Sequence, residues 1–367
     1  MKNMFNGFGQ NWHKKRSLKI VSIVVGAVVA VGLVAFLVIQ TRAWHGTVGE
    51  PTIFPTENPP INMSNDLRPS KTTSIASDPN NTQNIYAVWA FQDPSSTLYW
   101  CIKYSESSNS GRTWSAPTSV SCSGEDQNLP HEKPDIAVSY HNSTLRRHIT
   151  YRNSAGNIKY WYTNNGSNFF GNTIVGSGDD PAIAALSDTV VIVWDENNIA
   201  KSRKSSDWGV NWDTIQTLPG QHVVSSDPDV AVDTEGNWAV SYLAFGGDGD
   251  CWHRQTILRG VTSTDGETWG NQIDLDQLCD GINTSSIFKP AIAALPFRSG
   301  NFYTAYQFYI QTAVNPFMAI KAVSWTSGAV VTAPTIISGT DVQAINPAIT
   351  SDVNGYVHTF WQSVTSQ

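Results

Sequence analysis

Two patterns of apolar residues divide the chain. From Ile20 to Ile39 every residue is apolar apart from Ser22, whereas beyond Arg42 apolar positions come in short runs that alternate with polar ones. A stretch of this length, at about 1.5 Å rise per residue, matches the roughly 30 Å hydrocarbon core of a bilayer and predicts a spanning helix over residues 20–40. Alternation with a period of two predicts strands. One phrase recurs along the alternating part: Ser74-Ile75-Ala76, Pro134-Asp135-Ile136-Ala137, Pro181-Ala182-Ile183-Ala184, Pro228-Asp229-Val230-Ala231, Pro290-Ala291-Ile292-Ala293 and Pro347-Ala348-Ile349-Thr350. After each phrase comes a second alternating run that ends in an aromatic, at Trp89, Tyr151, Trp194, Tyr242, Tyr306 and Trp361.

The six copies stand 47 to 62 residues apart, the length of one four-stranded sheet with its loops. Small residues suit strands that converge on a crowded axis, and aromatics suit the wedge between neighbouring sheets. The expectation is an all-β fold, a six-bladed β-propeller over residues 50–367, preceded by one N-terminal transmembrane helix. Only the two inner strands of the sixth blade follow its phrase. Residues 50–64 are expected to supply one or both of the missing outer strands and close the ring, which removes exposed sheet edges.

Charge orients the molecule. Lys14, Lys15, Arg16 and Lys19 precede the apolar stretch and only Arg42 follows it closely, so residues 1–19 are expected in the cytoplasm, 20–40 in the membrane and 41–49 as a linker to an extracytoplasmic domain. Six of the 23 basic residues and none of the 30 acidic ones fall in residues 1–43, which leaves the outer part with 13 more acids than bases. Such a surface excludes nucleic acid as a partner, because phosphate binding draws on clustered Lys and Arg. The composition, 11% aromatic and 14% charged with 27 Gly and 18 Pro, agrees with short strands and many turns. Cys101 and Cys122 flank one predicted hairpin and Cys251 and Cys279 another, so each pair can close a disulfide across adjacent strands in an oxidising compartment.

A second motif lies between predicted third and fourth strands: Ser107 to Trp114 (SSNSGRTW), Ser205 to Trp212 (SSDWGVNW) and Thr262 to Trp269 (TSTDGETW), with a worn copy from Tyr162 to Phe169. A short Asp or Asn capping turn amides, a Gly at positive φ and a Trp folding back onto the sheet describe a hairpin turn. These copies resemble the Asp boxes (BNR repeats) of sialidase-like propellers over nearly all of residues 50–367. The resemblance implies a rigid propeller with the boxes on one rim and a ligand face on the other, and glycans as ligands.

That face is built by the loops that enter each inner strand and those that leave each second strand. They bring Lys133, Asp180, Asp227, Lys289 and Asn346 on one side, and Arg152, Glu196, Trp252, Arg254 and Tyr309 on the other. Sialidases carry an Arg-Ile-Pro signature entering the first blade, three arginines that grip a carboxylate, a Tyr–Glu nucleophilic pair and an Asp acid. Here Asp66-Leu67-Arg68-Pro69-Ser70 lacks the Ile, and Arg68, Arg152 and Arg254 are the arginines on hand. Glu196, Asp180 and Asp227 are the candidate catalytic carboxylates for a glycosidase, which needs only an acid and a base or nucleophile. Lys133, Lys289, Trp252 and Tyr309 are ligand-binding candidates. No cofactor is expected beyond Ca²⁺ at Asp248-Gly249-Asp250, a stretch that is equally a Gly-rich turn, and no metal spacing exists among the histidines. The expected role is recognition of a glycan or an envelope or surface protein; the alternative is an exo-acting glycoside hydrolase.

Overall fold

The computed structural model describes residues 70–92, 100–121, 132–220, 224–245, 255–279, 286–296, 298–310, 317–339, 343–352 and 354–364. The chain divides into two compact units, residues 1–57 and 58–367, and every described residue belongs to the second. The predicted span, the linker, residues 50–64, the Asp248–Asp250 stretch, Arg68, Trp252, Arg254, Cys122 and Cys251 lie outside the described residues. Among the described residues there are strands and no helix, hence none long and apolar enough to cross a membrane.

The strands form six antiparallel sheets in chain order. The first holds β1 (Ser70–Ser77), β2 (Ile85–Gln92), β3 (Trp100–Ser107) and β4 (Thr118–Ser121), and the second β5 (Glu132–His141), β6 (Thr144–Arg152), β7 (Asn157–Thr163) and β8 (Phe170–Ser177). The third holds β9 (Asp179–Leu186), β10 (Thr189–Glu196), β11 (Ile199–Ser205) and β12 (Gln216–Thr217), and the fourth β13 (Val224–Val232), β14 (Trp238–Phe245), β15 (Gln255–Ser263) and β16 (Ile273–Cys279). The fifth holds β17 (Ser286–Ala294), β18 (Asn301–Ile310), β19 (Phe317–Thr326) and β20 (Val330–Ile336), and the sixth β21 (Gln343–Ser351) and β22 (Val357–Val364). Each recurring phrase falls in the first strand of its sheet and each aromatic in the second. Successive first strands adjoin, from β1 against β5 through to β17 against β21.

Alternation explains the packing. In β10, Val191 and Val193 join a core with Val230, Val240 and Tyr242 of the fourth sheet, while Val190, Ile192 and Trp194 join one with Ile158 and Tyr160 of the second. Both faces are therefore buried, which is why this strand reads as a continuous apolar run. The central Ile or Val of each phrase packs on the preceding sheet: Ile136, Ile183, Val230 and Ile292 are at most 7% exposed. Ile75 of the first sheet is 57% exposed, and on the sixth sheet Tyr356 and Phe360 are 67% and 60% exposed. The sixth sheet thus keeps one open face among the described residues, and its two strands are the two that the sequence predicts.

The turns after β3, β7, β11 and β15 share one bonding scheme. Asn109 Oδ1 accepts from Thr113 N at 2.9 Å, Asp207 Oδ1 from Asn211 N at 2.7 Å and Asp265 Oδ1 from Thr268 N at 2.7 Å. The Ser107, Ser205 and Ser263 hydroxyls each accept a turn glycine's N–H at 2.9 Å. The divergent copy keeps the scheme, with Asn165 Oδ1 accepting from Asn168 N at 3.0 Å. Cys101 is disulfide-bonded, and Cys279 ends β16 opposite Gln255.

Candidate functional site

Every first strand is interrupted at the same place. The pairing register shifts between Lys71 and Thr73, Glu132 and Asp135, Ser226 and Asp229, Phe288 and Ala291, and Ile345 and Ala348, and in β9 just ahead of Ala182. These are β-bulges, in which extra residues stand against the aromatic of the second strand, such as Tyr151 or Tyr242. At each bulge one non-glycine residue takes a left-handed backbone: Thr72 (φ 47°), Lys133 (50°), Asp180 (48°), Asp227 (48°), Lys289 (46°) and Asn346 (53°). A proline follows in five of the six. Proline fits there because a bulge needs no ladder donor. Each strained residue costs about 1–3 kcal/mol, and the six recur at one level of successive first strands.

Four of these side chains meet in two pairs. Lys133 Nζ donates to Asp180 Oδ1 and lies 3.4 Å from Asp179 Oδ1. Lys289 Nζ donates to Asn346 Oδ1 at 2.6 Å, and Asn346 N donates to Gln307 Oε1 at 3.3 Å. Burial lowers the pKa of Lys133, but the carboxylates of Asp180, Asp179 and Asp227 together outweigh it and raise it. Burial, and then the Asp180 carboxylate, push Asp227 up to about 6 against the pull of Lys133 and Lys289. The residues at five successive strand entries therefore feel one another directly, around one mouth. Alternating strand directions put the four capped turns at the opposite ends of the sheets.

Just past the bulges, inside the recurring phrase, stand Asp135 and Asp229. Asp135 Oδ1 accepts from Ser74 Oγ at 2.5 Å and Oδ2 from Ile183 N at 2.8 Å, tying the first three sheets together. Asp229 Oδ2 accepts from Ile292 N at 2.8 Å, tying the fourth to the fifth. Burial, with the Asp135 carboxylate, pushes Asp229 up to about 7 despite these bonds, and burial raises Asp135 as well. Both residues keep part of their surface exposed while protein groups crowd the carboxylates.

The other candidates divide. Arg152 Nε donates to Gly178 O at 3.1 Å and stands 3.6 Å from Asp179 Oδ1, at the edge of the ring. Glu196 Oε1 accepts from Ser177 Oγ at 2.5 Å beside Asp195. Tyr309 lies at the end of β18 opposite Ser286 and is half-buried, with no bond to the ring among the described residues. A cavity of about 390 Å³ opens elsewhere, lined by Asn84, Tyr86, Glu106, Trp114 and Arg147. It sits at the end of the sheets away from the mouth, and its two charged side chains pair with each other at 3.2 Å. Among the described residues no three His, Cys, Asp or Glu side chains gather to hold a metal ion.

No family model matches the chain, and no curated protein matches it in sequence. Solved structures do resemble it. An α-L-arabinofuranosidase from Fusarium graminearum, in complex with an iminosugar inhibitor, is 10% identical with a TM-score of 0.50, over 78% of this chain and 85% of that one. NanB sialidase from Streptococcus pneumoniae is 9% identical with a TM-score of 0.49, over 80% of this chain and 65% of that one. An α-L-arabinanase from Penicillium chrysogenum is 13% identical with a TM-score of 0.41, over 79% of this chain and 74% of that one. At such identity the likeness shows the fold alone: an all-β propeller of the kind glycosidases use.

Proposed function

We propose that the chain is a six-bladed, sialidase-like propeller that takes a glycan at the mouth formed by Lys133, Asp180, Asp227, Lys289 and Asn346. The ring of strained strand-entry residues carries this reading, because its cost is repaid only if those side chains must point at one place. In the same reading, the turns capped by Asn109, Asp207 and Asp265 are Asp boxes, residues 50–64 complete the sixth sheet, Cys101 pairs with Cys122 and Cys251 with Cys279, and residues 20–40 anchor the propeller outside the cell. An envelope or surface protein bearing the glycan is the natural partner.

Hydrolysis is the second reading. It is favoured by the neighbouring carboxylates Asp180 and Asp227, the first ion-paired to Lys133 and the second with its pKa raised to about 6. Two neighbouring carboxylates in different surroundings suit the division of labour between an acid and a base or nucleophile. The test is a glycan array, followed by a panel of fluorogenic glycosides, with the purified chain and with Asp180→Asn and Asp227→Asn. Binding is expected to fall at least tenfold in either variant, since each removes a charged contact worth about 1.5–3 kcal/mol. Turnover that both variants abolish would establish the hydrolase. An empty array together with an inert panel would overturn both readings.

A further inference from the structure

At the end of the capped turns, neighbouring sheets do not fill their junctions alike. Between the second and third sheets the space is packed. The Arg146 guanidinium lies 3.7 Å from the centre of the Tyr162 ring and 3.8 Å from that of Trp208, which reaches across from the third sheet's turn to Ser139. Matching registers identify the equivalent positions between the first and second sheets. Tyr86 stands opposite Glu106 as His148 stands opposite Tyr162, so Glu106 takes the place of Tyr162 and Asn84 that of Arg146. The second sheet's turn, Thr163-Asn164-Asn165-Gly166, is one residue shorter than Ser205-Ser206-Asp207-Trp208-Gly209 and has nothing at the place of Trp208. A guanidinium and two rings are thus replaced by an amide and a carboxylate, and the cavity of about 390 Å³ is the space they leave.

The walls of this cavity carry a definite chemistry. Arg147, 8% exposed, enters from the second sheet with its guanidinium 4.4 Å from the centre of the Tyr86 ring. It pairs with Glu106 Oε2 at 3.2 Å, and Tyr104 Oη donates to the same oxygen at 2.7 Å. The pair cancels its own charge, so the cavity does not call for an ion. Hydrogen bonding is what stays open: Arg147 Nε has no partner, and neither Glu106 Oε1 nor Asn84 Oδ1 accepts a bond among the described residues. Buried polar groups are ordinarily satisfied. Trp114 lines the cavity beside them, half-buried, with its indole N–H already given to Gly111 O at 3.0 Å. Only the apolar ring is left for a ligand.

We propose that this cavity is a subsite for one neutral sugar ring, separate from the mouth and at the opposite end of the sheets. A pyranose brings a C–H surface for the Trp114 ring, hydroxyls that donate to Glu106 Oε1 and Asn84 Oδ1 and accept from the Arg147 guanidinium, and no charge to disturb the ion pair. The volume lies near the lower end of the roughly 300–1,000 Å³ that ligand pockets span, which is room for one ring and not for a chain. The proposal goes beyond the reading of the mouth and does not depend on it.

The experiment is saturation-transfer NMR and titration of the purified full-length chain, free of sugar-based detergent, with methyl β-D-glucoside, methyl β-D-galactoside and methyl β-D-glucuronide. A neutral glycoside is expected to bind and the glucuronide to bind more weakly. Glu106→Gln is expected to lower the affinity about tenfold, the effect of one charge-assisted hydrogen bond. Ser108 is exposed on the cavity wall, so Ser108→Tyr is expected to fill the cavity and abolish binding without changing the melting temperature. Asp180→Asn, at the mouth, is expected to leave this binding untouched. Two-site binding that loses one site in Ser108→Tyr and the other in Asp180→Asn supports both the subsite and the mouth reading. Binding lost in Ser108→Tyr alone supports the subsite and counts against the mouth. Binding that survives Ser108→Tyr or Glu106→Gln unchanged, equal binding of the glucuronide, or no binding at tens of millimolar would overturn the subsite.

Discussion

Raising the pH from 5 to 8 is expected to cost the wild-type chain stability that an Asp229→Asn variant keeps. The carboxyl of Asp229 is pushed from an ordinary value of 3.8 to about 7 by burial and by the facing Asp135. A raised folded-state pKa means that the folded chain holds a proton the unfolded chain has released. The stabilising contribution is therefore complete below about pH 4 and is lost as pH climbs through about 7. Between pH 5 and 8 the loss amounts to roughly 2–3 kcal/mol at 1.36 kcal/mol per pKa unit. Asparagine resembles the protonated acid and keeps one of the amide bonds from Val230 N or Ile292 N, so its own offset does not vary with pH. Asp227 shifts in the same direction, which makes the difference between wild type and variant the quantity to follow. Asp78, Asp207 and Asp265 shift the other way: their pKa values are lowered, and their contributions are lost only as pH falls below the ordinary carboxylate range. They leave the window from 5 to 8 undisturbed. Urea unfolding at three pH values measures the difference. A constant gap between the two proteins would mean that Asp229 stays charged in the folded chain across this range.

Asp229 lies inside a phrase that reads as packing, and what a single sequence carries explains why. The six recurring phrases are legible because two physical demands, small residues near an axis and aromatics between sheets, repeat at blade-like intervals. Lys133, Asp180, Asp227, Lys289 and Asn346 are legible by position, since each stands one residue before the proline that opens a phrase. Aligning the phrases also puts Ser74, Asp135, Ala182, Asp229, Ala291 and Ala348 in one column. Two acids in a column of small residues signal a polar passage, but alternation within a short strand does not tell which of its faces meets the axis. Pairings are harder still. That Lys133 reaches Asp180 and not Asp227, or that Lys289 turns to Asn346, depends on which sheet stands beside which and on a left-handed backbone that no composition rule assigns to Lys or Asp. The buried link between the second and third sheets is likewise invisible. Ser139 Oγ meets His148 Nε2 at 3.0 Å, His148 Nδ1 meets Tyr160 Oη at 2.8 Å, and Trp208 Nε1 donates to Ser139 Oγ at 3.0 Å, across residues far apart in the chain. Burial, with Arg146, lowers the His148 pKa to about 3, so the imidazole stays neutral and serves as a bridge.

The two glycines at matching places in the capped turns are expected to respond to alanine very differently, although the sequence presents them as equivalent. Gly111 and Gly209 both have positive φ, 81° and 86°, and both donate their N–H to the turn serine. Around Gly111 a methyl group meets nothing closer than Ile85 Cδ1 and Trp114 Cζ2 at 3.8 Å. Gly111→Ala is therefore expected to cost only the left-handed backbone penalty, about 1 kcal/mol. At Gly209 the same methyl group would overlap the hydroxyl and ring of Tyr160. That ring cannot step aside. It is fully buried, bonded to His148, and held edge-on against Trp212 with ring centres 5.0 Å apart. Overpacking of about 1–3 kcal/mol, a similar loss where a buried hydrogen bond opens, and the backbone penalty bring Gly209→Ala to on the order of 4 kcal/mol. Thermal melts of the two variants beside wild type read the contrast directly. A small, equal shift in both would show that the turn of the third sheet slides outward from the second without opening the His148–Tyr160 bond. A large, selective loss at Gly209 would show that this turn holds two sheets together, a role its counterpart at Gly111 does not share.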